Sequence, residues 1–210
     1  LLFTLNSSFE VSRCGNYKLS KPNLNSSKSN FYENDNVTSS KFEPKTDIEI
    51  RRAEWSDLSA ISDLLVKEFH GSSQWFPANC LSELNRLQLN FHYDDNHHLM
   101  FVAIDLNENT ITGFVDIDAR DLPPSKRSIY PPRPYLSDLA VRADYRRRKI
   151  GSSLVDKCEI ACKSWGFTKI YLKVQAKNSA GVGLYQNLGY EVIKPPDEKD
   201  QLLMEKILSC

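Results

Sequence analysis

The stretch Tyr135 to Leu154, YLSDLAVRADYRRRKIGSSL, gathers more chemistry-bearing residues than any other part of the chain. A hydrophobic run ends at Val141, four consecutive cations follow (Arg146, Arg147, Arg148, Lys149), and Gly151, Ser152 and Ser153 open an amphipathic segment. This order reads as a strand passing through a basic turn into a helix. A helix N-terminus presents unpaired backbone N–H groups and about half a positive charge, so it attracts anions. Gly151 allows a bound group to approach the backbone, and the two serines add hydroxyls. A diphosphate suits these features. The spacing is neither that of a Walker A loop, G-x-x-x-x-G-K-[ST], nor that of the three-glycine dinucleotide fingerprint. Competing readings of RRRK are a nuclear localisation signal or a solvated face. Its place between a hydrophobic strand and a helix start favours the anion site.

Other clusters invite blander readings. His92, His97 and His98 with Asp94 and Asp95 (HYDDNHH) have metal-ligand chemistry but fall at an expected turn, so a surface loop is the preferred reading. Cys158 and Cys162 share a helical face with no further Cys or His nearby, which favours core packing over a metal. With Cys14, Cys80 and Cys210 they make five cysteines lacking any CxxC spacing, and neither a disulfide scaffold nor a zinc site is expected. Trp55, Trp75 and Trp165 read as core or loop-packing residues.

The elements that must position the basic turn follow from periodicity. Ile48 and Ile50 alternate as in a half-buried strand, and Ser56 is placed to cap a helix carrying Leu58, Ile61, Leu64, Leu65 and Phe69 on one stripe. Leu81, Leu84, Leu87 and Phe91 mark a second, shorter helix, with Gly71 to Asn79 as the loop between them. Leu99 to Ile104 reads as a buried strand and Thr110 to Ile117 as its hairpin partner through Asn107, Glu108 and Asn109. Five prolines between Leu122 and Pro134 exclude regular structure there and make a stiff exposed loop. Tyr135 to Val141 is a strand, and Leu154, Val155, Cys158, Ala161, Cys162 and Trp165 stripe a helix that Gly166 stops. Lys169 to Val174 is a strand, Ala180 to Leu188 a helix ended by Gly189, and Tyr190 to Ile193 and Leu202 to Leu208 are closing strands. The expected fold is a mixed α/β sheet of about seven strands with about four helices.

Composition bounds what such a fold does. The 210 residues carry 27 Lys+Arg and 27 Asp+Glu, with 40% hydrophobic residues, enough for one domain with a sizeable core. A zero net charge argues against a nucleic-acid grip, and no apolar run approaches the roughly 18 residues of a membrane span. Residues 1–45 differ from the rest: six basic against four acidic side chains, nine serines, seven asparagines and no apolar periodicity. This segment is expected to be a disordered leader with the composition of an organelle transit segment, the competing reading being an untargeted tail. Because residue 1 is leucine, sequence upstream of it is also expected. Residues 46–210 form the expected catalytic domain.

The basic turn resembles the acetyl-CoA-binding motif of the GCN5-related N-acetyltransferase superfamily. The pattern [RQ]-x-x-G-x-[GA] after a strand of type LAV reads here as Arg146, Arg147, Arg148, Lys149, Ile150, Gly151 after Leu139, Ala140, Val141. A second motif, N-x-x-A-x-x-L-Y-x-x-x-G-[FY], matches Asn178 to Tyr190 (NSAGVGLYQNLGY), 32 residues further on from Arg146. Two departures stand out, Lys149 for the first glycine and Gly181 for the usual alanine. Lysine keeps its backbone N–H but lacks glycine's freedom at positive φ, so the turn is strained if that angle is needed.

The resemblance implies an acetyl-CoA-dependent N-acetyltransferase in which an amine attacks the thioester directly, with no metal. It implies cofactor contacts from Leu139, Ala140, Val141, Arg146, Arg147, Arg148, Lys149, Ile150, Gly151, Ser152, Asn178 and Tyr185. Tyr185 resembles the proton donor to the departing thiolate, the alternative being a packing role. Asn178 resembles a contact to the pantetheine arm and is equally placed to cap the following helix. For the general base, Asp138 and Tyr135 are the candidates; their spacing puts them on opposite faces of a regular strand unless a bulge intervenes. Tyr135 also resembles the strand tyrosine of N-terminal acetyltransferases acting on Met-starting proteins, but Lys173 stands where those enzymes have a histidine. Trp75 or Phe76 is expected to touch substrate, and Asp116, Asp118 and Asp138 are carboxylates suited to an ammonium. The chain is similar to plant plastid members acting on protein N-termini and lysines, which implies a protein or peptide amine partner and a chloroplast location, and a monomer is expected. The alternatives are a small-amine enzyme for an arylalkylamine or polyamine, a CoA-binding module without turnover, and a cytoplasmic location.

Overall fold

The alternating and helical periodicities resolve into one seven-stranded sheet with helices on both faces. The computed structural model describes residues 47–71, 76–91, 97–127 and 130–208. The leader, Trp75, His92, Asp94 and Asp95 lie outside them. In chain order the elements are β1 (Ile48–Arg52), α1 (Leu58–His70), α2 (Phe76–Asn90), β2 (His98–Asp105), β3 (Thr110–Asp118), β4 (Tyr135–Val141), α3 (Ile150–Ser164), β5 (Lys169–Gln175), α4 (Ser179–Asn187), β6 (Glu191–Lys194) and β7 (Gln201–Ile207). The sheet order is β1-β2-β3-β4-β5-β7-β6. Every neighbouring pair is antiparallel except β4 and β5, which run parallel.

Two apolar cores fill the two faces. Leu58, Ile61, Leu64 and Leu65 of α1 and Leu87 of α2 pack on Met100, Val102, Ile104, Phe114 and Ala140. Ile150, Leu154, Val155, Cys158 and Cys162 of α3 and Tyr185 of α4 pack on Phe101, Val115, Leu136, Ile170 and Leu172 from the other side. Such large buried side chains each contribute roughly 1.5–3 kcal/mol, so the sheet is held mainly by its two helical covers. The stripe on α3 accounts for the burial of both cysteines.

Several local expectations need correction. Ser56 does not cap α1: a 3-10 turn, Trp55–Asp57, precedes it, and the Asp57 carboxylate accepts from the Glu54 N–H at 2.7 Å. Asp57 also receives Arg51, at 2.7 and 3.0 Å, which pins the turn to β1. Phe69 and Leu81 are exposed rather than part of their stripes. Phe76 to Asn79 belong to α2, not to a loop, since proline is tolerated in the first turn of a helix and Pro77 is its second residue. The proline-rich loop contains a short 3-10 turn, Pro124–Lys126. His98 is not on a surface loop but opens β2, buried, with Nε2 2.8 Å from Asp116 Oδ1. Trp55 meets Phe91 edge-on at 5.6 Å and stays partly exposed.

Candidate active site

Strand β4 is regular as far as Ser137 and then bulges. Ser137 faces Asp116 and Ala140 faces Phe114, so Asp138 and Leu139 together oppose the single residue Val115. Asp138 takes φ 56, a left-handed angle that β-bulges accommodate. The bulge resets the alternation of faces. Leu136, Leu139 and Val141 all pack on the α3 side, whereas Ala140 turns to the α1 side. Asp138 is sent toward α2, where its Oδ2 accepts from Arg86 Nη2 at 2.6 Å. The expectation that Tyr135 and Asp138 lie on opposite faces therefore fails for the reason it allowed. The Tyr135 phenol feels the Asp138 charge.

The other edge of β4 separates from β5. Only Tyr135 with Tyr171 and Leu136 with Leu172 are paired across the seam. The Tyr171 N–H reaches the Pro134 carbonyl at 3.0 Å and the Leu136–Leu172 pair follows, with the Lys173 backbone N–H near enough to the Tyr135 phenol to oppose the rise in its pKa. Burial, then the charge of Asp138, pushes the Tyr135 phenol up to about 12. Burial also raises the Asp138 carboxyl above the usual range, against the pull of Arg86 and with Asp116 adding to the rise. Tyr185, on α4, is buried and meets Tyr190 edge-on at 5.6 Å. Burial raises its phenol well above 10, and Cys158 and Tyr135 add to the effect. At working pH Tyr185 therefore holds its proton.

The basic turn is less uniform than its sequence. Arg146 donates to the Val141 carbonyl at 3.1 Å and pairs with Glu68 of α1. Arg148 stacks on the Tyr145 ring at 4.5 Å, beside Arg142 at 4.7 Å, and Tyr145 is anchored by its hydroxyl to Asp105 at 2.8 Å. Arg147 and Lys149 adopt positive φ, 64 and 67. Lys149 is the N-cap of α3, so the position where the motif has glycine does require the left-handed angle, and lysine bears it. Ile150 buries its side chain, which leaves its backbone N–H as its contribution to an anion. A Cβ on Gly151 would meet only Leu184 at 3.5 Å and Val141 at 3.8 Å, ordinary contacts. Internal packing does not demand glycine there, and the open helix start fits an incoming diphosphate.

Asn178 caps α4 by accepting from the Gly181 N–H at 3.0 Å. The departure at Gly181 has a local cause: a Cβ there would lie 2.7 Å from Asn178 Nδ2 and 3.2 Å from Val174 Cγ2. Lys173 points its ammonium at Asp197, 2.7 Å away. Of the three carboxylates expected to receive an ammonium, Asp116 is buried against His98, and Asp118 is gripped by Arg120 at 2.8 Å and Arg133 at 2.6 Å. Only Asp138 borders the seam. Sequence reasoning missed Arg86 and Glu83, which flank the buried Leu87 on α2. Their spacing of three, a helical ion-pair spacing, was the available signal.

A half-split mixed sheet, a bulged strand beside the split and a helix that starts from a basic turn define an acyl-CoA acyltransferase type of scaffold. The chain belongs to the acetyltransferase (GNAT) family, whose model matches residues 58–190. It is 33% identical over 95 residues to the GCN5-related N-acetyltransferase 10, chloroplastic, of Arabidopsis thaliana, covering 42% of this chain and 36% of that protein. It is 33% identical over 98 residues to the GCN5-related N-acetyltransferase 4, chloroplastic, of the same plant, covering 45% and 34%. The N-alpha-acetyltransferase 50 of Danio rerio is 36% identical over 63 residues, 30% of this chain and 38% of that protein. The matches thus span about a third of the curated relatives' length. Among solved structures, the PaiA N-acetyltransferase of Thermoplasma acidophilum in complex with coenzyme A superimposes with a TM-score of 0.54 at 24% identity, covering 76% of this chain and 98% of that one. YncA of Salmonella typhimurium, a putative acetyltransferase with its cofactor acetyl-CoA, gives 0.55 at 15%, covering 79% and 96%. At these identities the structures share the fold with this chain.

Proposed function

We propose that the chain is an acetyl-CoA-dependent N-acetyltransferase for protein or peptide amines, working at the N-terminal α-amine, the lysine ε-amine or both. One observation carries the reading: the bulge in β4 turns Asp138 beside Tyr135, whose phenol feels its charge and lies in turn within electrostatic reach of the buried Tyr185. The open start of α3 at Gly151 supports a diphosphate beside them. Bound acetyl-CoA supplies the acetyl thioester, whose C–S bond breaks as the amine nitrogen bonds to the carbonyl carbon.

The chain's own groups manage the protons. Asp138 accepts one proton from the substrate ammonium, freeing the nitrogen lone pair. Tyr185 gives its proton to the departing sulfur and regains one from the acylated nitrogen. Asp138 then returns its proton to solvent, so that one proton is released per acetyl transferred. An α-amine, with an ordinary pKa near 8, needs less of this help than a lysine amine near 10.4. A carboxyl raised by burial is a better match to either than an ordinary aspartate. The backbone N–H groups of Ile150, Gly151 and Ser152 would hold the diphosphate, with Arg147 and Lys149 nearby in sequence.

A CoA-binding module without turnover rested on Lys149 deforming the turn. The left-handed N-cap is formed despite the lysine, which favours the enzyme. A plastid location is supported by the composition of residues 1–45 and by the chloroplastic relatives. The test uses the purified chain with acetyl-CoA and two peptides, one with a free α-amine and no lysine, one blocked at its N-terminus with a single lysine. Thiol release from either peptide is expected, and Asp138→Asn should slow it at least about a hundredfold. Tight acetyl-CoA binding with no thiol release from any amine would overturn the proposal.

A further inference from the structure

Asp138 does not stand alone at the bulge. Arg86, on the opposite helical cover, shares its Nη2 between Asp138 Oδ2 at 2.6 Å and Glu83 Oε1 at 2.5 Å. Its Nε reaches both oxygens of Glu83, at 3.0 and 3.1 Å. Glu83 therefore fixes the plane of the guanidinium from one helical turn away, and the fork delivers a single N–H to β4. One carboxylate oxygen is spoken for. No described residue bonds the other, Oδ1.

We infer that Arg86 is a positioning residue that orients the Asp138 carboxylate, Oδ1 outward, toward the reacting amine. The inference rests on the proposed role of Asp138 as base. Its support is geometric and electrostatic. The charged groups facing Asp138 are Arg86 and Glu83 from α2 and Asp116 from β3, itself held by His98 of β2, and the neutral Tyr135 phenol on β4 is the remaining titratable group. Arg86 is the one cation among them. Without it, burial and two like charges all oppose ionisation, and the carboxyl would hold its proton when the amine arrives. A stabilising role is the weaker explanation, because the Arg86 side chain is 41% exposed and ion pairs so wetted add little to stability.

Three substitutions test this, and Arg86→Gln and Glu83→Gln give opposite signs. Arg86→Gln should cut kcat about tenfold or more, leave the KM for acetyl-CoA unchanged, and move the acidic limb of the kcat/KM profile up by about one pH unit. Arg86→Lys, which keeps the charge but not the fork, should return the limb toward its place while kcat stays low. Glu83→Gln removes a like charge and leaves Arg86 to Asp138 alone, so its limb should move down. A limb that stays in place in both Arg86→Gln and Glu83→Gln, while Asp138→Asn is inactive, overturns the inference and leaves the base intact. Full turnover by Asp138→Asn removes the base and the inference together. If Arg86→Gln does not fold, the downward shift in Glu83→Gln decides alone.

Discussion

Tyr185 shows how far one residue can be read before its neighbours are known. The L-Y pair in NSAGVGLYQNLGY marked it, and its burial beside Tyr190 and Cys158 explains why its proton is retained. Tyr185→Phe keeps the ring and its packing but removes that proton. Turnover should fall about a hundredfold while acetyl-CoA affinity measured by calorimetry stays within about twofold. Equal loss of both would return Tyr185 to packing. Asp138 was legible as a candidate but not its geometry, because a bulge in a strand reading YLSDLAV contains neither glycine nor proline to announce it. Arg86 was illegible for a different reason. It reaches Asp138 from 52 residues away, and the pattern of a helix's polar face says nothing about what lies across the sheet. His98 fell with its turn-like neighbours because a buried histidine is recognised by its partner, Asp116, which sits on another strand.

At the scale of elements, hydrophobic period carried most of the information. Among the described residues the seven strands and three of the four helices lie within a residue or two of where alternation and stripes placed them, because burial on two faces leaves little choice of register; α2 instead begins at Phe76 and is longer than α1, not shorter. The start of α1 was not legible, since its Asp57 anchor depends on Arg51 from β1. Two positions in the cofactor elements carry predictions. Lys149 bears φ 67, so Lys149→Gly should stabilise the fold by about 1 kcal/mol or slightly less, read from denaturant midpoints. The same variant should bind acetyl-CoA with a shallower salt dependence if the lysine adds charge to the diphosphate site. Gly181→Ala should do the reverse of a usual helix substitution. Alanine normally strengthens a helix, but here its Cβ must push the Asn178 cap aside, at a cost of about 1 kcal/mol. A stabilised Gly181→Ala would show that the cap moves freely.

For the whole molecule, the charge balance at pH 7 conceals carboxylates of two kinds. Burial works against Asp118, yet Arg120 and Arg133 hold it below the ordinary range; Tyr145, Arg142 and Lys173 do the same for Asp105, Asp144 and Asp197. Their stabilisation is complete above the ordinary aspartate value of about 3.9 and is lost as pH falls through the lowered one. Asp138 and Glu159, raised first by burial, work oppositely: their cost is present at neutral pH and eases on mild acidification. Unfolding free energy should therefore peak at mildly acidic pH and drop steeply below about pH 4, with Asp118→Asn flattening the drop. Continued strengthening below pH 4 would contradict the assignment. The two-residue seam between β4 and β5 has a mechanical meaning as well. It makes the sheet two panels, β1 to β4 and β5 to β7, stitched at one end and held otherwise by the core they share under α3 and α4. A ligand lodged in the open part of the stitch line would act as a staple. Amide hydrogens along the parted edges should then slow their exchange with deuterium far more on cofactor binding than those of the continuous β1 to β3 panel.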